Sequence, residues 1–200
     1  MAVRGAHPTS IVHSTAKLGV ESVVWAWTQI REGAIVGAHT SIGQGCYVGP
    51  GVRIGSQCRV QNGALIYEPS VLEDSVFVGP GVVFTNDRFP RAINVDGSPK
   101  TSRDWQPVGV HVESGASIGA RAVLVGPLRV GQWAMIGAGS VVSSDVKPFS
   151  LVAGVPAKHI GWVGRSGCRL VNQADNWVCP QTEEIYEEID GSLVLTGARV

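Results

Sequence analysis

Glu68 and Asn86 are a carboxylate and a side-chain amide spaced eighteen residues apart, and Asn86 is the first amide side chain beyond the last regular repeat of the chain. A carboxylate can accept a hydrogen bond and handle a proton, and an amide can hold a reacting group in position. Whether this spacing brings the two side chains together depends on the elements that carry them. The alternative to a catalytic role is a structural one, in which Asn86 only caps a strand and Glu68 is a solvated turn residue.

A large apolar residue recurs at every sixth position from Val12 to Phe84 without a polar interruption, and a small or compact residue follows it four positions later. An amphipathic helix needs apolar residues at a spacing of 3.6 and a half-buried strand at a spacing of 2, so a spacing of six fits neither. It predicts one face of a three-faced coil, and stacked coils form parallel strands. Positions eighteen apart then lie above one another at about 4.8 Å, which places Asn86 over Glu68.

The repeat stops after Phe84 and restarts out of phase at Val112, continuing to Val142. Between these parts, residues 85–111 carry three prolines and most of the local charge, which predicts an inserted loop over the surface. Ordered loops of this length are usually functional. The loop is therefore expected to belong to a site at the coil edge.

The six-residue pattern resembles the hexapeptide-repeat acyltransferase family over residues 11–160. This resemblance implies an all-β fold, the left-handed parallel β-helix with eighteen residues per coil. We expect residues 1–165 to form this domain, with the inserted loop at about 85–111. Residues 166–200 have short alternating apolar runs separated by NQADN and DGS, which predict a small C-terminal β appendage covering the end of the coil stack.

The stretch VQNGALIYEPSVLEDSVFVGPGVVFTNDRFPRA, residues 60–92, resembles more closely the nucleotide-diphosphate amino-sugar N-acetyltransferases, especially those acting on 3-amino sugars. In that group an acidic residue lies one coil before the Asn of an FTN motif, and these positions are Glu68 and Asn86 here. The resemblance implies acetyl transfer from acetyl-CoA to the amine of a UDP- or dTDP-linked amino sugar, in lipopolysaccharide or other glycan precursor biosynthesis. Asn86 would position the amine and Glu68 would orient it.

Three other functions stay open on the same fold: O-acetylation, transfer of a longer acyl group, and a non-catalytic scaffold. The family often has Trp-His-Phe where this chain has Trp25, Ala26 and Trp27. Contacts made by that histidine elsewhere cannot be carried over, so the nucleotide is left open.

The run ending in VPAKHIGWV, within residues 120–163, resembles the acetyl-CoA half of the family. An extended pantetheine arm needs a smooth groove, and Ala120, Ala138 and Pro156 are small or compact residues spaced by eighteen. Lys158 follows them with a charge suited to the phosphates of CoA.

Arg88 and Arg91 lie in the inserted loop, where a planar guanidinium suits the phosphates of a nucleotide. We therefore expect one of them in the acceptor site. Similar proteins hold the acetyl-CoA groove between neighbouring prisms, which implies a homotrimer.

Composition limits the other possibilities. Sixteen Lys and Arg balance sixteen Asp and Glu, which disfavours nucleic acid and an anionic membrane as partners. The start MAVRGAHPTS has no apolar signal region, so we expect a cytoplasmic protein. The cysteines and histidines are dispersed without metal-ligand spacing, and we expect no metal, with Cys46 and Cys58 packed at small inward positions.

Overall fold

The computed structural model describes residues 5–174 and 176–198, which form 26 short strands. In chain order they are β1 (Gly5–Ala6), β2 (Ile11–Val12), β3 (Lys17–Leu18), β4 (Val23–Val24), β5 (Gln29–Ile30), β6 (Ile35–Val36), β7 (Ser41–Ile42), β8 (Tyr47–Val48), β9 (Arg53–Ile54), β10 (Arg59–Val60), β11 (Leu65–Ile66), β12 (Val71–Leu72), β13 (Phe77–Val78), β14 (Val83–Phe84), β15 (Val110–Val112), β16 (Ser117–Ile118), β17 (Val123–Leu124), β18 (Leu128–Val130), β19 (Met135–Ile136), β20 (Val141–Val142), β21 (Ser150–Gly154), β22 (Ala157–Trp162), β23 (Val171–Gln173), β24 (Asn176–Val178), β25 (Glu184–Ile189) and β26 (Ser192–Ala198). No helix in the described part of the chain is long and apolar enough to cross a membrane.

Three parallel sheets form the faces of a prism, which confirms the predicted left-handed parallel β-helix. The first face runs β1-β4-β7-β10-β13-β16-β19-β21, the second β2-β5-β8-β11-β14-β17-β20, and the third β3-β6-β9-β12-β15-β18. Arg59 pairs with Ser41 on one side and Phe77 on the other, a step of eighteen residues in each direction. We call the turns after the first, second and third faces the first, second and third corners.

The interior of the prism holds the apolar residues of the six-residue repeat. Val24, Ile42 and Ile66 expose 0% of their surface, and Cys58 packs equally deeply at one of the small positions. Cys46 is also buried, so both cysteines occupy the inward positions predicted for them. The repeat is thus a packing pattern, because each coil covers the apolar layer of the next.

Glycine is required at the corners where coils stack closely. A Cβ on Gly37 would lie 2.5 Å from the backbone of Gly55 and Ser56 on the next coil. A larger residue would force the coils apart, which explains why glycine often follows the large apolar residue.

The inserted loop leaves the second corner after β14 and rejoins the third face at β15. His111 pairs with Val71, a step of 40 residues where the regular coil takes eighteen, so the insertion adds 22 residues (40 − 18 = 22). Its ends are held together by the Val108 amide, which donates a hydrogen bond of 2.9 Å to the Asn86 carbonyl. The loop is therefore anchored at the corner that carries Asn86.

The predicted β appendage is present as a four-stranded antiparallel sheet of β23 to β26. Its core joins the last coil, because the rings of Phe149 and Tyr186 pack edge to face at 5.2 Å. Lys147 Nζ also donates a hydrogen bond to the Gly191 carbonyl in the turn between β25 and β26. The appendage thus packs against the end of the prism.

Candidate functional site

The second corner brings Glu68 and Asn86 onto neighbouring coils. Strands β11 and β14 pair in register, with Ile66 beside Phe84, and each polar residue follows its strand by two positions. The coil spacing that the sequence predicts is therefore the spacing observed at this corner. Both side chains are half-buried, at the point where the inserted loop begins.

The carboxylate of Glu68 has one oxygen, Oε2, that is buried and has no hydrogen-bond partner among the described residues. Native proteins pair nearly all buried polar atoms, so this carboxylate oxygen is an exception to the general rule. The oxygen lies over Gly49, where a Cβ would stand 2.5 Å from it. The backbone of one coil thus supports the acidic group of the next.

Sequence reasoning missed Arg31, Tyr47 and Tyr67. Tyr47 interacts electrostatically with Glu68, with Tyr67 and with Arg31. The Tyr47 and Tyr67 rings are 5.0 Å apart between centroids, at an angle of 43°. Burial raises the pKa of the Tyr47 hydroxyl; among its charged neighbours, Arg31 opposes the rise and Glu68 and Tyr67 add to it. Counting back in steps of eighteen from Thr85 reaches Tyr67 and Arg31, so the repeat spacing could have identified these two residues.

Arg31 is fixed by its chain neighbour Glu32. Arg31 Nε donates to Glu32 Oε2 at 2.9 Å and its NH2 group donates to Oε1 at 3.2 Å. These hydrogen bonds, together with the attraction of the carboxylate, raise the pKa of the guanidinium. The pair is about half exposed, so its main effect is to set the direction of the guanidinium.

The two loop arginines make local interactions. The Arg88 guanidinium stacks over the Phe89 ring at 5.5 Å, and Arg91 donates to the Pro90 carbonyl at 2.9 Å. Both are exposed on the loop surface. Their role toward phosphates stays a prediction.

The first corner carries the predicted strip of small residues. Ala120 and Ala138 stack in register, since Ile118 pairs with Ile136. The prediction for the third member, Pro156, is wrong. Ile136 pairs with Val152, a step of sixteen, so Gly154 is the residue above Ala138 on the next coil. The last coil is shorter than the others, and Pro156 lies instead in the turn of the β21–β22 hairpin.

Lys158 is exposed on β22, where it lines a cavity of about 640 Å³ at the end of the prism. Its walls are partly apolar, and Asp145 and Glu188 in its lining balance the charges of Lys158 and Lys147. The role of Lys158 toward a phosphate of CoA stays a prediction.

His111 and Glu73 form a second polar cluster on the third face, which the sequence did not reveal. His111 Nε2 lies 2.8 Å from Glu73 Oε1, and the Ser114 hydroxyl donates to Glu73 Oε2 at 2.8 Å. These contacts hold the pKa of Glu73 below its ordinary value, with the histidine contact the largest cause. Within residues 5–174 and 176–198, no group of three or more His, Cys, Asp or Glu side chains is placed to hold a metal ion.

Comparison with known proteins matches two parts of the chain to family models. The family model described as bacterial transferase hexapeptide (six repeats) matches residues 33–68. A second family model, the hexapeptide repeat of succinyl-transferase, matches residues 109–144. A serine acetyltransferase of Salmonella typhimurium is 36% identical over 102 residues, which is 51% of this chain and 32% of that protein. The dTDP-3-amino-3,6-dideoxy-alpha-D-galactopyranose 3-N-acetyltransferase of Aneurinibacillus thermoaerophilus is 40% identical over 80 residues, 40% of this chain and 41% of that protein.

Among solved structures, a hexapeptide-repeat acetyltransferase of Vibrio cholerae in complex with acetyl-coenzyme A superposes with a TM-score of 0.54 and 23% identity. The match covers 65% of this chain and 70% of that one. The chain spans about a third to two fifths of the length of the two sequence relatives. The chain therefore contains hexapeptide repeats at residues 33–68 and 109–144 and folds as a left-handed parallel β-helix.

Proposed function

We propose that the protein is an acetyl-CoA-dependent N-acetyltransferase that acts on the amine of a nucleotide-linked amino sugar, with the amine at carbon 3 and the nucleotide UDP or dTDP. The observation that carries this proposal is the stacking of Glu68 and Asn86 at the mouth of the inserted loop. The match to a dTDP-3-amino-sugar N-acetyltransferase supports the choice of acceptor. Such a reaction belongs to the biosynthesis of lipopolysaccharide or another glycan precursor in the cytoplasm.

The reaction needs only modest catalytic assistance from the protein. A neutral amine attacks the thioester carbonyl, a C–N bond forms, the C–S bond breaks, and the proton lost by nitrogen passes to the departing CoA thiolate. A sugar amine that titrates near the α-amino range, about 8, is partly neutral at cellular pH. Asn86 holds the amine, and the carboxylate of Glu68 accepts a hydrogen bond from it and so directs the lone pair.

The donor side of the site belongs to the first corner. Ala120 and Ala138 supply the smooth strip for the pantetheine arm, and Lys158 binds a phosphate of CoA. Arg88 and Arg91 of the loop are assigned to the acceptor, where they order the loop around the nucleotide.

The two halves of this site lie at different corners of one chain. Six residues of extended backbone separate them in a coil, roughly 20 Å at 3.3 Å per residue. A second copy that sets its first corner against the second corner of its neighbour brings donor and acceptor together. Closed repetition of this contact gives the homotrimer that we propose.

Acyl transfer to a hydroxyl is the second candidate. The contact of His111 with Glu73 favours it, because a carboxylate on one ring nitrogen leaves the other available as a base for a hydroxyl. The serine acetyltransferase match agrees with an O-acetyl acceptor.

A mass spectrometric screen separates these functions. The protein is incubated with acetyl-CoA and a panel of UDP-, dTDP- and GDP-linked amino sugars, and with serine. A mass gain of one acetyl group on an amino-sugar nucleotide is expected. Acetylation of serine alone would support the second candidate, and no product at all with no CoA binding by calorimetry would support a scaffold.

A further inference from the structure

A column of residues, one from each coil, extends from the proposed acceptor site along the second corner. Residues His13, Arg31, Gly49, Tyr67 and Thr85 stand one coil apart, because the strands before them pair in register. Three coils separate Arg31 from Thr85, about 14 Å at 4.8 Å per coil. The column therefore extends well beyond the space that a single sugar ring fills.

Arg31 has the donors that an anion needs. A guanidinium carries five N–H groups, and Glu32 accepts two of them. The Tyr47 hydroxyl also interacts with the guanidinium, and the Arg31 side chain stays 42% exposed, which leaves part of it open to a second anion. Glu32 holds the planar group in one orientation, which lowers the entropy lost when a second anion binds.

Tyr47 is a neighbour of both Glu68 and Arg31. Its hydroxyl interacts electrostatically with the two charged groups. The Tyr47 and Tyr67 rings, 5.0 Å apart, form an aromatic wall beside Gly49, where the Glu68 carboxylate fills the space that a Cβ would take. Glu68, Tyr47 and Arg31 therefore lie near one another along the second corner.

We propose that Arg31 binds the diphosphate of the acceptor, with the sugar seated at Glu68 and Asn86 and its nucleotide extending down the column toward the amino-terminal coils. This inference rests on the proposed function for the sugar, but it assigns the anion to a residue outside the inserted loop. Arg88 and Arg91 then order the loop and make the weaker contribution to phosphate binding.

Calorimetry with dTDP, UDP and GDP tests the assignment without any turnover. The parent is expected to bind at least one of these nucleoside diphosphates, and Arg31→Gln should raise that dissociation constant by about tenfold or more, since a charge-assisted contact is lost. Arg53→Gln, an exposed arginine on the third face, is the matched control and should bind like the parent. The variant Arg88→Gln/Arg91→Gln should weaken binding less than Arg31→Gln does.

Two outcomes overturn the inference: a parent that binds none of the three nucleotides, and an Arg31→Gln protein that is as well folded as the parent by thermal unfolding and binds within twofold of it. The result of the acetylation screen does not depend on the result of this binding experiment. If no amino-sugar nucleotide is acetylated but nucleoside diphosphate binding depends on Arg31, the proposed function is wrong and the anion site stands.

Discussion

At the scale of residues, the proposed chemistry depends on Glu68 and Asn86. Asn86→Ala and Glu68→Ala should each lower kcat by roughly ten to ten-thousand fold, the range for groups that position a reactant and handle its proton. Neither side chain belongs to the buried core, so folding and acetyl-CoA binding should survive. Because both act on one nitrogen, the double variant should lose less than the sum of the two free energies.

Steady-state kinetics at saturating substrates measure this prediction. Asn172→Ala and Glu187→Ala, exposed residues of the appendage, are the controls and should keep parental rates. An alanine variant of Glu68 or Asn86 that stays within twofold of the parent has no catalytic role, and the strand-capping interpretation replaces it.

Gly49 offers a second residue-scale test, because it supports the Glu68 carboxylate without any side chain of its own. In Gly49→Ala, the new Cβ would lie 2.5 Å from Glu68 Oε2 and 3.0 Å from the Glu68 amide nitrogen. The carboxylate must move, and a displacement of about 1 Å can cost on the order of a hundredfold in rate. Gly197→Ala, where a Cβ meets nothing within 4 Å, is the control. An unchanged kcat in a well-folded Gly49→Ala protein would show that the position of Glu68 is unimportant.

At the scale of elements, the faces and the stacking of Glu68 under Asn86 were predictable, because both follow from a strict spacing of six. The shortened last coil was not. Its step of sixteen depends on how residues 143–149 close the turn. The six-residue repeat carries no information on that turn, so the sequence placed Pro156 incorrectly. The contact of His111 with Glu73 was hidden by the insertion, since 38 residues separate two side chains on adjacent coils.

Tyr186 is buried in the appendage, and its hydroxyl has two hydrogen-bond partners. The hydroxyl donates to Glu184 Oε2 at 2.6 Å and accepts from the Arg165 amide at 3.0 Å. Burial and the neighbouring carboxylate raise the pKa of Tyr186 to about 12. Tyr186→Phe leaves the buried Glu184 carboxylate and the Arg165 amide without this bond and should lower the free energy of unfolding by about 1–3 kcal/mol. Urea denaturation measures it, with Thr196→Val on the exposed side of the same sheet as control.

The same network predicts a pH dependence of stability. Burial raises the pKa of Glu184, but hydrogen bonds from Arg165 and Tyr186 outweigh burial and leave the pKa below its ordinary value. A lowered pKa contributes stability that is complete above the unfolded value, about 4.3, and is lost as pH falls through the folded value. At pH values below about 4.3, the urea midpoint of unfolding of the parent should therefore fall more steeply with pH than that of Tyr186→Phe. Parallel pH profiles of the two proteins would contradict this.

The β21–β22 hairpin carries Lys158, the proposed phosphate contact of CoA. Lys158→Ala should raise the KM for acetyl-CoA and leave kcat nearly intact, because a phosphate contact is equally strong in the ground and transition states. Lys17→Ala, exposed at the opposite end of the prism, is the control. A fall in kcat with an unchanged KM would remove this role from Lys158.

At the scale of the whole molecule, the account requires donor and acceptor corners from two copies. Light scattering at micromolar concentration should give the mass of three chains. A mixture of Asn86→Ala and Ala138→Trp proteins, each impaired alone, should regain activity after the chains are exchanged, because some interfaces then combine two intact corners. A fully active monomer, or no recovery in mixed trimers, would place the complete site in one chain.

The most direct test of the central claim compares two acceptors that differ in one group. The release of free CoA thiol by the parent is measured with a dTDP- or UDP-linked 3-amino sugar and with the matched sugar that has a hydroxyl at carbon 3. We predict that CoA is released in step with the N-acetylated product of the amine and that the hydroxyl analogue gives no release above background. Equal release with both acceptors, or release with the hydroxyl alone, would contradict the assignment of this protein to amine acetylation.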